Sequence, residues 1–260
     1  MLTQECKHAC YICSMGLSYC IIIPARYASS RFPGKPLAEI HGKSMIQRVY
    51  EAAASVASHG RIFIATDDIR IQEHAETFSQ VIMTSEHHPS GTDRCAEAIL
   101  SVPFDCDIVI NLQGDEPFIK PEQIQILLEL FENPDVQIGT LKKELFDAED
   151  IDNPNIVKVV SNTQKKALYF SRSRIPYRRE TPENVQYYKH LGMYAYRKSA
   201  LLEITQLAPS MLEETEKLEQ LRWLENGYSI AVGETQWQSP AVDTPEDLEK
   251  AIRFAIVSKD

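Results

Sequence analysis

Basic residues are scarce: 27 Lys and Arg stand against 37 Asp and Glu among 260 residues, a formal net charge of −10. A field of that sign repels nucleic acid and anionic membranes, so an anionic ligand has to be caught by a local cluster of cations. Long apolar runs are missing too. The longest stretch free of Asp, Glu, Lys, Arg and His covers residues 9–25, is diluted by Ser, Gly, Cys and Pro, and falls short of the roughly 20 apolar residues of a membrane-spanning helix. A secretory signal is the competing reading of that stretch. It lacks a strong basic start, and cleavage near Pro24 would delete the first core strand argued below, so the expected compartment is the cytoplasm. Internal repeats, low-complexity tracts and a convincing linker are absent as well. With 43% hydrophobic and 25% charged residues, the composition is that of a globular protein and excludes disorder, collagen and disulfide-bonded miniatures. The length admits one large α/β domain or two small ones.

Six cysteines stand at positions 6, 10, 13, 20, 95 and 106, and the first three spell C-x3-C-x2-C. That spacing matches three corners of an iron–sulfur cluster. Radical enzymes carry such a triplet in a loop after the first strand of a barrel, whereas here it precedes the first strand. We read residues 1–18 as an N-terminal extension with reduced thiols. Met15 stands just after the triplet and is a candidate native start, which intact mass on protein from its own host decides.

Short apolar runs at 19–24, 61–66 and 81–84 alternate with helical patterns at 45–56 and 69–78, the β-α-β-α rhythm of a parallel sheet. The first helix opens on Ser44 with Gln47 three residues on, a capping-box pattern, and places Met45, Ile46, Val49, Tyr50 and Ala53 on one face. The rhythm continues with a helix at 92–100, a strand at 107–112 and a helix at 121–131. After Val136 it changes: strands at 157–161, 167–171 and 190–196 follow without long helices between them, as antiparallel additions do. Helices at 199–207 and 214–225, a strand at 229–232 and a helix at 245–257 complete the chain, with Asn226-Gly227 as a helix stop. The expected fold is a single domain over 19–260 with a mostly parallel sheet flanked by helices and an inserted antiparallel lobe at about 155–237.

Directly after the first strand, residues 24–36 read Pro-Ala-Arg-Tyr-Ala-Ser-Ser-Arg-Phe-Pro-Gly-Lys-Pro and bring Arg26, Arg31 and Lys35 into one loop. In an open α/β sheet such a loop lies over the carboxyl ends of the strands, where ligands bind. Neither a Walker A loop nor a G-x-G-x-x-G turn is present. A triphosphate needs cations as well as backbone donors, and this loop supplies them; a solvated surface loop has the same composition. A second segment, Asn-Leu-Gln-Gly-Asp-Glu-Pro at 111–117, sets Asp115 near a strand's carboxyl end. Magnesium takes one or two protein carboxylates and fills its shell with water and phosphate oxygens, while a turn-forming Gly-Asp is the plainer reading. A third, Val-Asp-Thr-Pro-Glu-Asp-Leu at 242–248, makes Thr244 an N-cap, Pro245 the first helical residue and Asp247 the acidic third position. Asp243 has no such task and is the candidate partner of Asp115. Together the three segments make a parts list for nucleotidyl transfer.

Residues 21–256 resemble the 3-deoxy-manno-octulosonate cytidylyltransferase family, which couples CTP to the acidic sugar KDO to give CMP-KDO and pyrophosphate for lipopolysaccharide biosynthesis. Besides the three segments above, the resemblance is carried by His-Pro-Ser-Gly-Thr-Asp-Arg at 88–94, Tyr-Phe-Ser-Arg at 169–172, His-Leu-Gly-Met-Tyr-Ala-Tyr at 190–196 and Leu-Glu-Gln-Leu-Arg at 218–222. It implies a Rossmann-like nucleotidyltransferase fold and a catalytic set of Arg26, Lys35, Asp115 and Asp243. It further implies CTP contacts from Arg26, Arg31, Lys35, Arg94 and Gln113, with Mg²⁺ on Asp115 and Asp243. Arg172, His190, Tyr194, Glu219 and Gln220 match positions on the sugar side. For His190 the plainer reading is a satisfied buried side chain, and for Glu219 and Gln220 the wet face of a helix. The resemblance also implies a homodimer. Two rival functions remain in view, a cytidylyltransferase for another acidic sugar and a non-catalytic nucleotide-binding module.

Overall fold

The computed structural model describes residues 17–29, 31–180, 185–237 and 241–257. Cys6, Cys10, Cys13 and Met15 lie outside them, whereas Cys20, Cys95 and Cys106 are buried thiols. The chain forms two compact units, one of residues 1–125 and 238–260, the other of residues 126–237. The second unit begins at Ile126, and the lobe expected at about 155–237 falls within it.

The first unit is built on strand β1 (Tyr19–Ala25), whose seven residues are all buried. A tight pair, β2 (Glu39–Ile40) and β3 (Lys43–Ser44), leads into helix α1 (Met45–Ala54). Ser44 accepts a hydrogen bond from the Gln47 amide at 3.2 Å, but the Gln47 side chain donates to Glu51, so only half of the expected capping box forms. The buried face is Met45, Ile46, Val49, Tyr50 and Ala53, as the spacing predicts. Strand β4 (Ile62–Thr66), helix α2 (Ile69–Ala75), strand β5 (Gln80–Met83), helix α3 (Gly91–Ile99), strand β6 (Ile108–Asn111) and helix α4 (Pro121–Glu129) follow. The strands lie in the order β6-β1-β4-β5, all parallel, with Ile21 opposite Ile110 and Ile23 opposite Ile64. Buried on both faces, β1, β4 and β6 read as apolar runs, β4 and β6 broken only at their last residues, Thr66 and Asn111.

The C-terminal helix Pro245–Val257 returns to this unit. Its Ala251 and Ala255 pack with Ile40, Met45 and Val242 in one apolar cluster. That packing carries Asp243, far along the chain, back to the loops above β1 and β6.

In the second unit, strand β7 (Ile138–Leu145) is followed by helix α5 (Ala148–Asp152) and strands β8 (Lys158–Ser161), β9 (Ala167–Ser171) and β10 (Tyr187–Arg197). Helices α6 (Lys198–Ile204), α7 (Met211–Glu216) and α8 (Glu219–Glu225) precede strand β11 (Ile230–Glu234). β7 runs antiparallel to β10 and parallel to β11, while β8 pairs antiparallel with both β10 and β9. The sequence pattern does not announce β7, because Gly139, Thr140, Lys142 and Lys143 interrupt its apolar residues. Thr140 is satisfied within the sheet, donating toward the Leu191 and Met193 carbonyls, and Lys142 pairs with Glu234 at 3.6 Å. The single helix expected at 214–225 is two. Lys217 takes the left-handed conformation at φ 55°, and the Arg172 guanidinium accommodates the carbonyls freed at the break.

Candidate active site

The loop after β1 is shaped by its own backbone. Gly34 adopts φ 71°, its amide donates to the Tyr27 carbonyl at 2.9 Å, and a Cβ there would meet the Tyr27 ring at 3.0 Å, so only glycine fits. The Arg70 guanidinium, held by Asp68 at 2.6 Å, covers the Tyr27 ring at 3.3 Å. A short 3₁₀ turn at Lys35–Leu37 then aims Lys35 inward.

Lys35 Nζ donates to Asp115 Oδ2 at 3.0 Å and to Asp243 Oδ1 at 3.1 Å. Arg31 lies 3.6 Å from the same Asp243 oxygen. Backbone geometry brings the carboxylates together: the Val242 amide donates to the Asp115 carbonyl at 3.0 Å, and the Asp243 amide reaches Asp247 Oδ2 at 3.4 Å. Thr244 caps the following helix through the Asp247 amide at 3.2 Å, as expected.

A pocket of about 250 Å³ opens at this cluster, lined by Arg26, Arg31, Lys35, Arg94, Gln113, Asp115 and Asp243 among others. Every residue expected on the nucleotide side therefore meets at one place in the first unit. Arg94 is 3% exposed and held by Thr84 at 2.5 Å and Asp67 at 3.0 Å. The Gln113 amide donates to Asn111 Oδ1 at 3.0 Å. Gly91, the first residue of α3, lets it approach, since a Cβ there would come within 3.3 Å of the Gln113 amide.

Ser29, His88 and Ser90 line the pocket as well, three residues to which the sequence pattern assigns no role. For His88 and Ser90 the signal was present in the 88–94 segment. His88 is paired with Glu97, which also accepts from the Ser85 amide at 2.9 Å. The hydrogen bond from His88, with the Ser85 amide second, holds the Glu97 carboxyl below its ordinary range.

The residues expected on the sugar side all lie in the second unit. His190 and Tyr194 are buried, their rings 5.4 Å apart, and Tyr194 meets Trp223 of α8 at 5.2 Å. Burial pushes the His190 imidazole down to about 3, with Lys189 adding to the shift, and burial drives the Tyr194 phenol well up. Both groups are neutral at pH 7. Glu219 and Gln220 stand on the first turn of α8, Gln220 buried and Glu219 paired with Arg222 at 3.1 Å. Arg172 has a different setting from that of an open carboxylate receptor. Its guanidinium donates to the Glu216 carbonyl at 2.7 Å and the Pro154 carbonyl at 3.2 Å, and its amide to the Glu216 carboxylate at 2.9 Å.

A family model described as cytidylyltransferase matches residues 20–230. The 3-deoxy-manno-octulosonate cytidylyltransferase of Parabacteroides distasonis is 53% identical over 243 residues, covering 90% of this chain and 96% of its own. That of Cytophaga hutchinsonii is 51% identical over 244 residues, covering 90% and 96%. A solved CMP:2-keto-3-deoxy-manno-octonic acid synthetase complexed with CTP matches with a TM-score of 0.86 and 45% identity, over 93% of this chain and 99% of that one. The chain belongs to the 3-deoxy-manno-octulosonate cytidylyltransferase family.

Proposed function

We propose that the protein transfers CMP from CTP to KDO, releasing pyrophosphate. The observation that carries this reading is the convergence of Lys35 on Asp115 and Asp243, at 3.0 and 3.1 Å, within a pocket that also holds Arg26, Arg31, Arg94 and Gln113. The name shared by the relatives supports the choice of nucleotide and sugar.

Arg26, Arg31 and Lys35 take the charge of the triphosphate, and the Gln113 amide presents a donor and an acceptor to the polar edge of the cytosine. Arg94, braced by Asp67 and Thr84, adds a fixed cation to the same pocket. The 2-hydroxyl oxygen of KDO forms a bond to the α-phosphorus as the bond to the bridging oxygen of pyrophosphate breaks, and the hydroxyl proton is released. Chemistry of this kind depends on positioning and charge neutralisation more than on covalent help from the protein.

Asp115 and Asp243 are the residues that would hold Mg²⁺. Two carboxylates already sharing one cation suit an ion that takes one or two protein oxygens and completes its shell with water and phosphate. When bound, the ion supplies charge neutralisation at the phosphates. His190, Tyr194, Glu219 and Gln220 are assigned to the sugar, with Arg172 holding the chain around them. The three buried thiols fit a reducing cytoplasm. A homodimer belongs to the same reading, and exposed Phe146, Leu168 and Met211 are apolar surface for a second copy to cover; sedimentation at micromolar concentration checks it.

The decisive experiment supplies each of four nucleoside triphosphates with Mg²⁺ and a panel of acidic sugars, and reads pyrophosphate and the coupled product. CTP with KDO is the expected pair. Faster turnover with another acidic sugar would replace the substrate assignment, and nucleotide binding with no pyrophosphate would leave a binding module.

A further inference from the structure

The Lys35 ammonium holds the two carboxylates that a divalent ion would need. Lys35 Nζ touches Asp115 Oδ2 at 3.0 Å and Asp243 Oδ1 at 3.1 Å, so one ammonium engages an oxygen of each proposed metal ligand. A magnesium ion approaches carboxylate oxygens at about 2.0–2.1 Å, whereas an ammonium donates from about 2.8 Å. An ion bound to those same two oxygens, Asp115 Oδ2 and Asp243 Oδ1, would have to displace the ammonium.

The lysine is well placed to hold that position and also to give it up. Its backbone is fixed by the turn at Lys35–Leu37, with the Ala38 amide donating to the Lys35 carbonyl at 3.0 Å and Pro36 restricting the chain. Its side chain is 15% exposed against 32% for Asp115 and 45% for Asp243, so it is the most enclosed member of the trio. The flexible four-carbon stem lets the ammonium turn without moving the loop. Arg26 and Arg31 line the same pocket, so a polyphosphate drawn there arrives beside Lys35 and offers its ammonium a more highly charged partner.

We propose that Lys35 guards the carboxylate pair: it keeps Asp115 and Asp243 from a divalent ion until a triphosphate draws the ammonium away, so that ion and nucleotide bind together. This rests on the metal assignment made above. Because coupling is reciprocal, the nucleotide raises the affinity for the ion and the ion raises the affinity for the nucleotide. Lys35 carries that coupling in addition to touching the phosphates.

Manganese is the probe, its free concentration read by electron paramagnetic resonance during titration of the full chain. Without nucleotide, Lys35→Met is expected to bind Mn²⁺ about tenfold more tightly than the unaltered protein. Adding an unreactive CTP analogue should tighten Mn²⁺ binding strongly in the unaltered protein and much less in Lys35→Met. Arg31→Met separates guarding from bulk charge, since Arg31 lies 3.6 Å from Asp243 and, among the described residues, is paired with that carboxylate alone. General electrostatics gives the two variants similar gains, which would overturn the proposal, as would equal Mn²⁺ affinity in Lys35→Met and the unaltered protein. Adding Asp115→Asn to Lys35→Met should erase the gain. Pyrophosphate release by the unaltered protein tests the cytidylyl transfer itself, so a failed guard and a failed function give different results.

Discussion

In the first unit Lys35 touches both Asp115 and Asp243 while the three side chains stay 15%, 32% and 45% exposed. In the second unit Lys158 is wholly buried, and its ammonium donates to the Asn153, Ile156 and Arg172 carbonyls at 2.8, 2.6 and 2.6 Å. The first arrangement pairs part-exposed ionic groups with one another, where a ligand of higher charge can reach them. The second ties an ion to backbone that has nowhere else to go. Arg172 repeats that pattern, and His190 carries it further by giving up its charge altogether. A transfer site needs charges that can be exchanged, and a scaffold needs charges that cannot.

The largest effect should come from breaking the exchangeable set. Asp115→Asn is expected to lower turnover on the order of 100-fold in a pyrophosphate assay at saturating magnesium, while the midpoint of urea unfolding moves little, because Lys35 keeps Asp243 as a partner and a partly exposed ion pair contributes about 1 kcal/mol. Near-normal turnover would remove Asp115 from the machinery. The fixed set should respond the other way. Lys158→Met strands three carbonyls and is expected to cost about 3 kcal/mol in urea unfolding. A variant as stable as the parent would mean that the buried ammonium is not what ties these segments.

His190 sharpens the contrast through pH. The folded protein holds its imidazole at about 3 against an ordinary 6.5, so between those values the unfolded chain takes up a proton that the folded one refuses. Stability therefore falls as the pH drops below about 6.5, by about 2 kcal/mol at pH 5 from this group. His190→Gln should flatten that part of the profile, measured as unfolding midpoints at pH 7 and pH 5. An unchanged slope would show that other groups set it.

The alternation of strands and helices in the first unit was legible because β1 and β4 are covered on both faces and α1 on one, so burial leaves its period in the residues. The cap at Thr244 and Pro245 was legible for a local reason, since it depends on four consecutive positions. β7 was not, because a strand between two partners tolerates Thr140 and Lys142 once neighbours satisfy them. The break at Lys217 was hidden too: it is held by Arg172, which lies far back in the chain. In the pocket, residue types pointed to segments that converge, but contact between Lys35 and Asp243, 208 positions apart, follows from the packing of the C-terminal helix on Ile40 and Met45. The bracing of His88 by Glu97 left no pattern in the sequence at all.

That bracing offers the smallest and most selective test. Glu97 is half-exposed and joins His88 at the pocket wall to the Ser85 amide, so it positions a lining residue without lining the pocket itself. Glu97→Gln keeps the shape and removes the charge, and a charge-assisted hydrogen bond becomes a neutral one. KM for CTP should rise on the order of threefold, with kcat and KM for KDO nearly unchanged. In the parent the Glu97 carboxyl lies below its ordinary range, so its contribution is complete above the usual carboxylate range and fades as the pH falls through the lowered value. The KM difference between parent and variant should shrink in that acid range. A rise in KM for KDO instead would mean that the 85–97 segment serves the sugar, and the assignment of this wall to the nucleotide would have to be reversed.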